Sequence, residues 1–520
     1  MLSGAHPMEV FDMARARSSA LRSLSVVLAL ACGACGGDDD VNEGDHDAST
    51  AIDAGHDAAL AIEEDAGEIE IDAAVEAIDA GTDASIAGDV QVATAADLAR
   101  ESADDYATNT YGLITGATLG RWVRDWSAAR PAAITGDLVV LQIVPTGATS
   151  RVHVSPVSTG VRVYDVPQAS LLEERDSGLS SIEAEIPRGE STDAFLQRYR
   201  IDPRRDLVVW VFEQLPGTTG AAVQQLGRGW LWLAYWGAEP EHLAVLNGSL
   251  DWNGANEGLP VAEIAAATPP GDGATRVSDL RRDHTTLVVH VGELIPIVRD
   301  ADPAYRVVDA RGGAEALGLP KATNSGRRDC ASYTGSGTTA RCSPLFEGRI
   351  RGAHTVPWTQ LLTSADDGLR FLPKSQLRAI FDARAATAPG LTYIHYCRTN
   401  VRSMVTGLAS ILVLGLPTRW YDASFIEWSH LAHGPTAATQ LLPADSPWRT
   451  DLPALTEHNL ATGYTPGGST SDPAITPGEW VAGPRYNADD DISPTRPVIR
   501  PEATSSAGTI ETDRAYLRAR

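Results

Sequence analysis

The sequence predicts an α/β fold built from two similar domains, each a parallel β-sheet flanked by helices. Within residues 285–432, β-branched segments alternate with helical segments, which is typical of parallel strands joined by helices. Residues 110–258 contain the same order of elements, so a repeat is expected. The segments outside these two regions lack such periodicity, and we predict no regular domain there.

The earlier half begins with a predicted helix and ends with an aromatic residue after its last strand. Its expected elements are a helix at 119–126, strands at 137–142 and 205–213, a helix at 226–237 and a closing segment at 244–252. Trp230, Trp232 and Trp236 lie on the second helix, and we expect them in the core. The turn after the second strand, 214–220, contains no cysteine.

The later half follows the same plan with an insertion after its first strand. Its expected elements are a strand at 305–311, a segment at 346–358, a helix at 375–382, a strand at 391–397, a helix at 404–415 and a final strand with an aromatic segment at 418–428.

A cysteine stands at the strand-to-helix turn of the later half. Cys397 follows the predicted strand, and Arg398 and Arg402 lie at the two ends of the turn. A thiol in such a place has a lowered pKa, because N–H groups of the turn and nearby guanidinium groups favour the thiolate. The pattern therefore predicts a nucleophilic cysteine in an anion-binding loop, whereas a packed, inert cysteine would not need two arginines.

Two such halves, with a thiol in the later one alone, resemble a tandem-domain rhodanese, a sulfurtransferase of the thiosulfate or 3-mercaptopyruvate type. The resemblance covers 110–432 and is strongest at 307–309, 348–358 and 393–428. It implies a rhodanese-like domain without catalytic cysteine at 110–258 and a catalytic one at 285–432. It also implies that Cys397 is the nucleophile.

The resemblance further implies a cradle loop, consisting of Arg398, Thr399, Asn400, Val401 and Arg402. The family often has glycine where this chain has Asn400, and asparagine tolerates a left-handed backbone better than most residues. Arg311 is a second candidate for substrate binding, with a structural salt bridge as the alternative. The family often has a substrate-binding arginine a few residues further on, where this chain has Glu315.

The implied reaction transfers sulfane sulfur from thiosulfate to a thiophilic acceptor, cyanide or a thiol, through a Cys397 persulfide. It requires no metal and no organic cofactor. Two alternatives stay open. A cysteine phosphatase or arsenate reductase has five residues between its Cys and Arg, whereas Cys397 and Arg402 are separated by four. A non-catalytic binding or redox-sensing module is the other alternative. His395, on the preceding strand, is expected to pack in the sheet.

Cys330 and Cys342 bracket a polar, glycine-rich insertion, and in an oxidising envelope they form a candidate disulfide. A zinc site is poorly supported, because no further Cys or His pair completes it. A resolving role towards Cys397 is the remaining alternative.

Residues 1–35 resemble a bacterial lipoprotein signal, with a basic region, a short apolar stretch and small residues before a cysteine. The resemblance implies lipidation of Cys32, or of Cys35 as the weaker candidate. It also implies a location in the bacterial cell envelope, periplasmic or at the cell surface, with a membrane contact through the lipid anchor. A plain secreted protein is the alternative.

The remaining segments are acidic or rich in turn-forming residues. Residues 36–105 contribute much of the net charge of −26 and few aromatic residues, so we predict a disordered acidic linker. This charge argues against nucleic acid as a partner. For residues 433–520 we predict an irregular C-terminal extension.

Overall fold

The computed structural model describes residues 90–215, 221–318, 333–334, 341–342, 344–434, 441–459, 480–486, 500–502 and 505–519. Within them the chain forms two parallel sheets, each flanked by helices. The predicted α/β class is therefore confirmed.

The first domain contains a five-stranded sheet in the order β1-β5-β4-β2-β3, in which all neighbours are parallel. Strands β2 and β4 are almost continuous apolar runs, because helices cover both faces of the sheet. The strands are β1 (Gly112–Ile114), β2 (Leu138–Val144), β3 (Val161–Pro167), β4 (Leu207–Phe212) and β5 (Leu243–Leu246). The helices are α1 (Gly116–Arg124), α2 (Gly189–Tyr199), α3 (Ala221–Tyr235) and α4 (Leu250–Asn256).

The second domain contains a four-stranded parallel sheet in the order β7-β6-β8-β9. Its strands are β6 (Tyr305–Asp309), β7 (His354–Thr355), β8 (Thr392–Tyr396) and β9 (Thr418–Trp420). Its helices are α5 (Val291–Arg299), α6 (Gly313–Leu317), α7 (Lys374–Ala385), α8 (Ser403–Leu408) and α9 (Ser424–His430). A π-helical turn, Ala409–Val413, continues α8.

Shorter elements connect and edge the two domains. They comprise strands Gln91–Val92, His153–Val154, Glu173–Asp176, Ser181–Glu185, Val261–Ala262, Arg282–Asp283, Tyr333–Thr334, Arg341–Cys342, Phe346–Glu347, Arg349–Ile350, Thr456–Asn459, Trp480–Ala482 and Arg485–Tyr486, and helices Ala95–Leu98 and Trp126–Ala129. The 3₁₀ turns in the described residues include Gln168–Leu171, Pro240–His242, Val277–Asp279, Thr285–Leu287 and Trp358–Leu361. A last helix, α10 (Gly508–Arg518), follows them.

The two domains meet through α3 and α8. A Cβ atom added at Gly227 on α3 would lie 2.6 Å from the Cβ of Met404 on α8, so only glycine allows this approach of the helices. One hydrophobic core runs through the contact and includes residues of both domains, among them Trp230 and Leu408. The position of α8 therefore depends on the first domain.

The predicted linker 36–105 ends earlier than expected. Its last residues, 90–105, are ordered: Gln91–Val92 pair with Arg282–Asp283, and Leu98 is buried. The backbone N–H of Arg100 also donates to the carbonyl of Ile411 at 2.8 Å. The acidic composition of residues 36–105 led to a prediction of disorder for the whole range. Residues 90–105 nevertheless fold, because they bury a few apolar side chains against the second domain.

The C-terminal extension 433–520 contains regular elements that the sequence did not indicate. Thr456–Asn459 pairs with Arg349–Ile350 of the second domain, and α10 returns to the first domain. There Asp513 makes two hydrogen bonds to Arg175, at 2.6 and 2.8 Å, and accepts one from the Tyr235 hydroxyl. These partners are distant in sequence, so local composition gave no sign of them.

Several predictions fall outside the described residues. The signal and its lipidation candidates Cys32 and Cys35, the linker up to 89, and Cys330 belong to this group, as does the side chain of Cys342. The disulfide therefore stays a prediction. In the part of the chain that is described, no helix is both long and apolar enough to cross a bilayer.

Candidate active site

Cys397 lies at the carboxyl end of β8, an inner strand of the second sheet, and its side chain is buried. The loop 398–402 connects it to Ser403, the first residue of α8. The segment around α9 fixes its backbone, since the N–H of Cys397 donates to the Ser424 hydroxyl and its carbonyl accepts from the Phe425 N–H, both at 3.2 Å.

Asn400 bends the loop with a left-handed backbone, at φ 60°. The structure thus agrees with the expectation that asparagine occupies a position where glycine is favoured. Its side chain is also engaged at both ends: Nδ2 donates to Asp422 Oδ1 at 2.7 Å, and Oδ1 accepts from the Ser403 hydroxyl at 2.5 Å. A glycine would supply the turn without these two hydrogen bonds.

The loop favours the thiolate form of Cys397. Burial by itself raises the pKa of the thiol, but the charge of Arg402 opposes it, and hydrogen bonds from the Ser403 N–H and hydroxyl and from the Thr399 N–H add to that effect. The balance lowers the pKa below its ordinary value. Sulfur is therefore held where a negative charge is stabilised by preorganised donors.

Arg402 forms a two-pronged ion pair with Glu315 of α6, with both nitrogen–oxygen distances at 2.7 Å. Burial raises the pKa of the Glu315 carboxyl, but the charge and hydrogen bonds of Arg402 lower it to about 2. Arg311 and Arg398 contribute further charge in the same direction. The Glu315 carboxylate thus binds Arg402, the arginine whose charge lowers the pKa of the Cys397 thiol.

Arg311 is buried in an ion pair with Asp309, with hydrogen bonds of 2.6 to 3.1 Å. It also donates to the carbonyl of Gly348 at 2.9 Å, and its guanidinium lies 4.3 Å from the ring centre of Phe425. The structure therefore places this arginine in the salt bridge that the sequence offered as the alternative to substrate binding.

The remaining loop residues differ in burial. Arg398 and Thr399 are half-buried, and Val401 is buried. His395 packs in the sheet as expected: its Nδ1 lies 2.9 Å from the Thr406 hydroxyl oxygen, and burial lowers its pKa to about 3. It is thus neutral at physiological pH.

The turn that follows β4, the central strand of the first domain, contains no cysteine, and the structure describes residues 213–215 of this turn. Glu213 follows β4, is 1% exposed, and accepts hydrogen bonds from the backbone N–H and the side chain of Arg151 at 2.8 and 3.1 Å. Trp230, Trp232 and Trp236 on α3 are buried, in agreement with the core assignment.

Sequence reasoning missed three charged residues around the loop, namely Glu315, Asp422 and Arg228. Glu315 was noticed only as the residue that replaces an arginine. Asp422 lies two residues after the last strand, Thr418–Trp420, and the carboxyl ends of parallel strands are a common place for functional polar groups. Arg228 is the one charged residue of an apolar, tryptophan-rich helix, and such isolation is a signal for a buried ion pair.

The described residues contain no cluster of three or more His, Cys, Asp or Glu side chains arranged to hold a metal ion.

No protein-family model and no curated protein sequence matches this chain. Solved structures do show similarity. Tum1 from Saccharomyces cerevisiae is 16% identical, with 62% of this chain and 95% of Tum1 covered and a TM-score of 0.44.

SseA from Escherichia coli, described as a 3-mercaptopyruvate sulfotransferase with the rhodanese fold, is 17% identical, with 61% of this chain and 100% of SseA covered and a TM-score of 0.41. The anaerobic ergothioneine biosynthesis enzyme from Chlorobium limicola is 16% identical, with coverages of 64% and 71% and a TM-score of 0.43. At such identities, function has to come from the chemistry of the cysteine loop itself.

Proposed function

We propose that this protein is a sulfurtransferase that carries sulfane sulfur as a persulfide on Cys397. The observation that carries the proposal is the environment of the sulfur, a buried thiol whose pKa is lowered by Arg402 and by three hydrogen bonds from Ser403 and Thr399. These donors stabilise a negative sulfur before and after transfer, because the thiolate and the persulfide carry the same charge.

The proposed reaction has two steps. The Cys397 thiolate attacks the outer sulfur of thiosulfate, a new sulfur–sulfur bond forms, the bond to the sulfonate sulfur breaks, and sulfite leaves with the electron pair. Cyanide or a thiolate then attacks the outer sulfur of the persulfide and regenerates the Cys397 thiolate. Covalent catalysis divides one transfer into two easier displacements, and neither step needs an oxidant.

Thiosulfate is the proposed donor because the loop carries arginines at both ends. Guanidinium groups bind sulfonate oxygens well. Arg402 binds the donor after thiosulfate displaces Glu315. Arg311 stays bound to Asp309, and its Nη1 lies 3.9 Å from Glu315 Oε1. The acceptor is proposed to be cyanide or a thiol.

Two other functions use the same cysteine. A phosphatase loop has five residues between its Cys and its Arg, whereas the loop here has four. A binding or redox-sensing module would keep the thiolate without turnover.

Intact mass spectrometry after incubation with thiosulfate separates these functions. The sulfurtransferase gains the mass of one sulfur atom, loses it on addition of cyanide, and shows no gain as the Cys397→Ser variant. Cys330→Ser is the matched control and should gain sulfur like the wild type. A wild-type protein that never gains one sulfur would refute the proposal, and phosphate release from an aryl phosphate would favour the phosphatase.

We further propose that the protein is exported and anchored by a lipid on Cys32. The support is the sequence pattern of residues 13–38 alone. Palmitate labelling in a bacterial host should be lost in Cys32→Ser and kept in Cys35→Ser; the reverse result would reassign the anchor to Cys35.

A further inference from the structure

Arg228 lies in the first domain, on α3, yet its hydrogen bond leads toward the cysteine loop of the second. Its side chain is fully buried, and its Nη1 donates to Asp422 Oδ1. The other carboxylate oxygen, Oδ2, accepts the backbone N–H of Ile186 at 2.7 Å. Within the described part of the chain, Nε and Nη2 of Arg228 have no hydrogen-bond partner.

Such a pair is a poor way to stabilise a core. The desolvation of two buried charges commonly exceeds their attraction, and an apolar pair of the same volume is often as stable or more so. The incomplete hydrogen bonding of Arg228 adds to the penalty. Stability alone therefore does not account for an arginine at this position.

Asp422 connects Arg228 to the loop. The same Oδ1 atom that accepts from Arg228 also accepts Asn400 Nδ2 at 2.7 Å. Because Nδ2 is bound to a carboxylate, the amide of Asn400 has one orientation, with Oδ1 directed at the Ser403 hydroxyl 2.5 Å away. The guanidinium thus fixes the carboxylate, and the carboxylate fixes the amide.

The Ser403 hydroxyl has a single hydrogen and two acceptors, Asn400 Oδ1 and the sulfur of Cys397. Donation to a charged acceptor is stronger, so the hydrogen turns to the sulfur when the thiolate forms. Asn400 also lies between Thr399 and Ser403, whose backbone N–H groups donate to the sulfur, and its side chain ties the loop to Asp422 and to Ser403. A displaced Asn400 side chain would release the loop and turn those N–H groups away from the sulfur.

We infer that Arg228 is a positioning residue for the nucleophile, which acts from the domain without a thiol through Asp422, Asn400 and Ser403. The inference rests on the proposed function, since it concerns activation of the same sulfur. Close packing of α3 on α8 at Gly227 supports it independently, because this contact sets the distance between Arg228 and the start of α8. The first domain, which has no cysteine, would then contribute a residue that positions the site of the second domain.

The test measures the pKa of Cys397 from the pH dependence of alkylation by iodoacetamide. The loop itself contains Arg398 and Arg402, which interact with Glu315 together with Arg311, and Glu185 interacts with Asp422 and Arg228. All of these charged groups except Arg228 and Asp422 stay unchanged in the variants. In Arg228→Met/Asp422→Asn, which removes both charges together, the pKa should rise by about half a unit to one unit and alkylation at neutral pH should slow roughly fivefold.

Two single variants act on the same connection. Asn400→Gly keeps the left-handed turn and removes both side-chain hydrogen bonds, so it should raise the pKa equally. Arg228→Gln keeps one N–H donor and should raise the pKa less. The control is Arg449→Met/Asp451→Asn, a mostly buried ion pair with hydrogen bonds of 2.7 and 2.8 Å, which should lower the melting temperature without changing the pKa.

If Cys397 keeps its wild-type pKa in folded Arg228 variants, the inference is overturned. This holds even if Asn400→Gly by itself shifts the pKa of Cys397. Alkylation requires no sulfur transfer, so the result is independent of the proposed function. If wild-type Cys397 never forms a persulfide but the Arg228 variants shift its pKa, the proposed function fails and the positioning role stands.

Discussion

Replacing Glu315 by Gln should weaken the fold and strengthen donor binding at the same time. Glutamine keeps the size of the side chain and removes the charge that occupies Arg402. The native pKa of this carboxyl is lowered from 4.5 to about 2, and at roughly 1.4 kcal/mol per pKa unit the ionised form contributes about 3 kcal/mol to stability. The variant should lose about this amount at neutral pH.

The sign of the pH dependence follows from the direction of the shift. A carboxyl whose pKa is depressed in the folded state stabilises the protein fully above its unfolded pKa of 4.5, and this contribution is lost as the pH falls toward about 2. The difference in unfolding free energy between wild type and Glu315→Gln should therefore be constant above pH 5 and narrow below it. Urea unfolding followed by tryptophan fluorescence measures this difference.

The effect on activity has the opposite direction. In the wild type, thiosulfate must displace a carboxylate held by two charge-assisted hydrogen bonds of 2.7 Å. Each such bond contributes about 1.5 to 3 kcal/mol, so a KM lowered about tenfold, or about 1.4 kcal/mol, is a modest expectation. Glu293→Gln is the control: it breaks the comparable pair with Arg419 and should leave KM unchanged. An unchanged or raised KM in a destabilised Glu315→Gln protein would refute the role of Arg402 in donor binding.

Three further results are expected. Arg402→Ala in the Glu315→Gln background should raise the thiosulfate KM or lower kcat by about tenfold or more, and unchanged kinetics would make Arg402 part of the scaffold. Gly227→Leu should lower the free energy of unfolding by about 1 to 3 kcal/mol, because its side chain would meet Met404; Ala128→Leu at an exposed helical position should change it by less than about 0.5 kcal/mol. Burial raises the pKa of the Glu427 carboxyl from 4.5 to about 7, so the wild type loses stability as the pH rises from 4.5 through 7. The free energy of unfolding of Glu427→Gln, measured in urea, should therefore rise relative to that of the wild type by up to about 3 kcal/mol between pH 5 and pH 8. A difference between the two proteins that does not change with pH would contradict a buried, protonated carboxyl at Glu427.

The parts of this structure that follow local rules were predictable from the sequence. The inner strands β2 and β4 are almost continuous apolar runs, and they were found within a few residues of their observed bounds. The turn at Asn400 was predictable because few residues adopt a left-handed backbone easily. Cys397 was recognisable because a thiol, a strand end and two arginines coincide within a few residues.

The contacts that tune the thiol were not predictable. Glu315 and Arg402 are 87 positions apart, and Arg228 and Asp422 are 194 apart. Such pairs arise from sheet order and from the packing of two domains, neither of which leaves a local pattern. From the sequence, Arg402 was therefore expected to be available to a substrate anion, whereas in the structure it binds the Glu315 carboxylate.

The C-terminal helix has a consequence for how the chain matures. Asp513 and Tyr516 complete the first domain, where they bind Arg175, Tyr235 and Asp193. A chain without α10 would keep Arg175 in the interior of the first domain without the Asp513 carboxylate. Removing one partner of a buried ion pair commonly costs about 3 to 5 kcal/mol, so the first domain reaches its full stability only after α10 has packed against it.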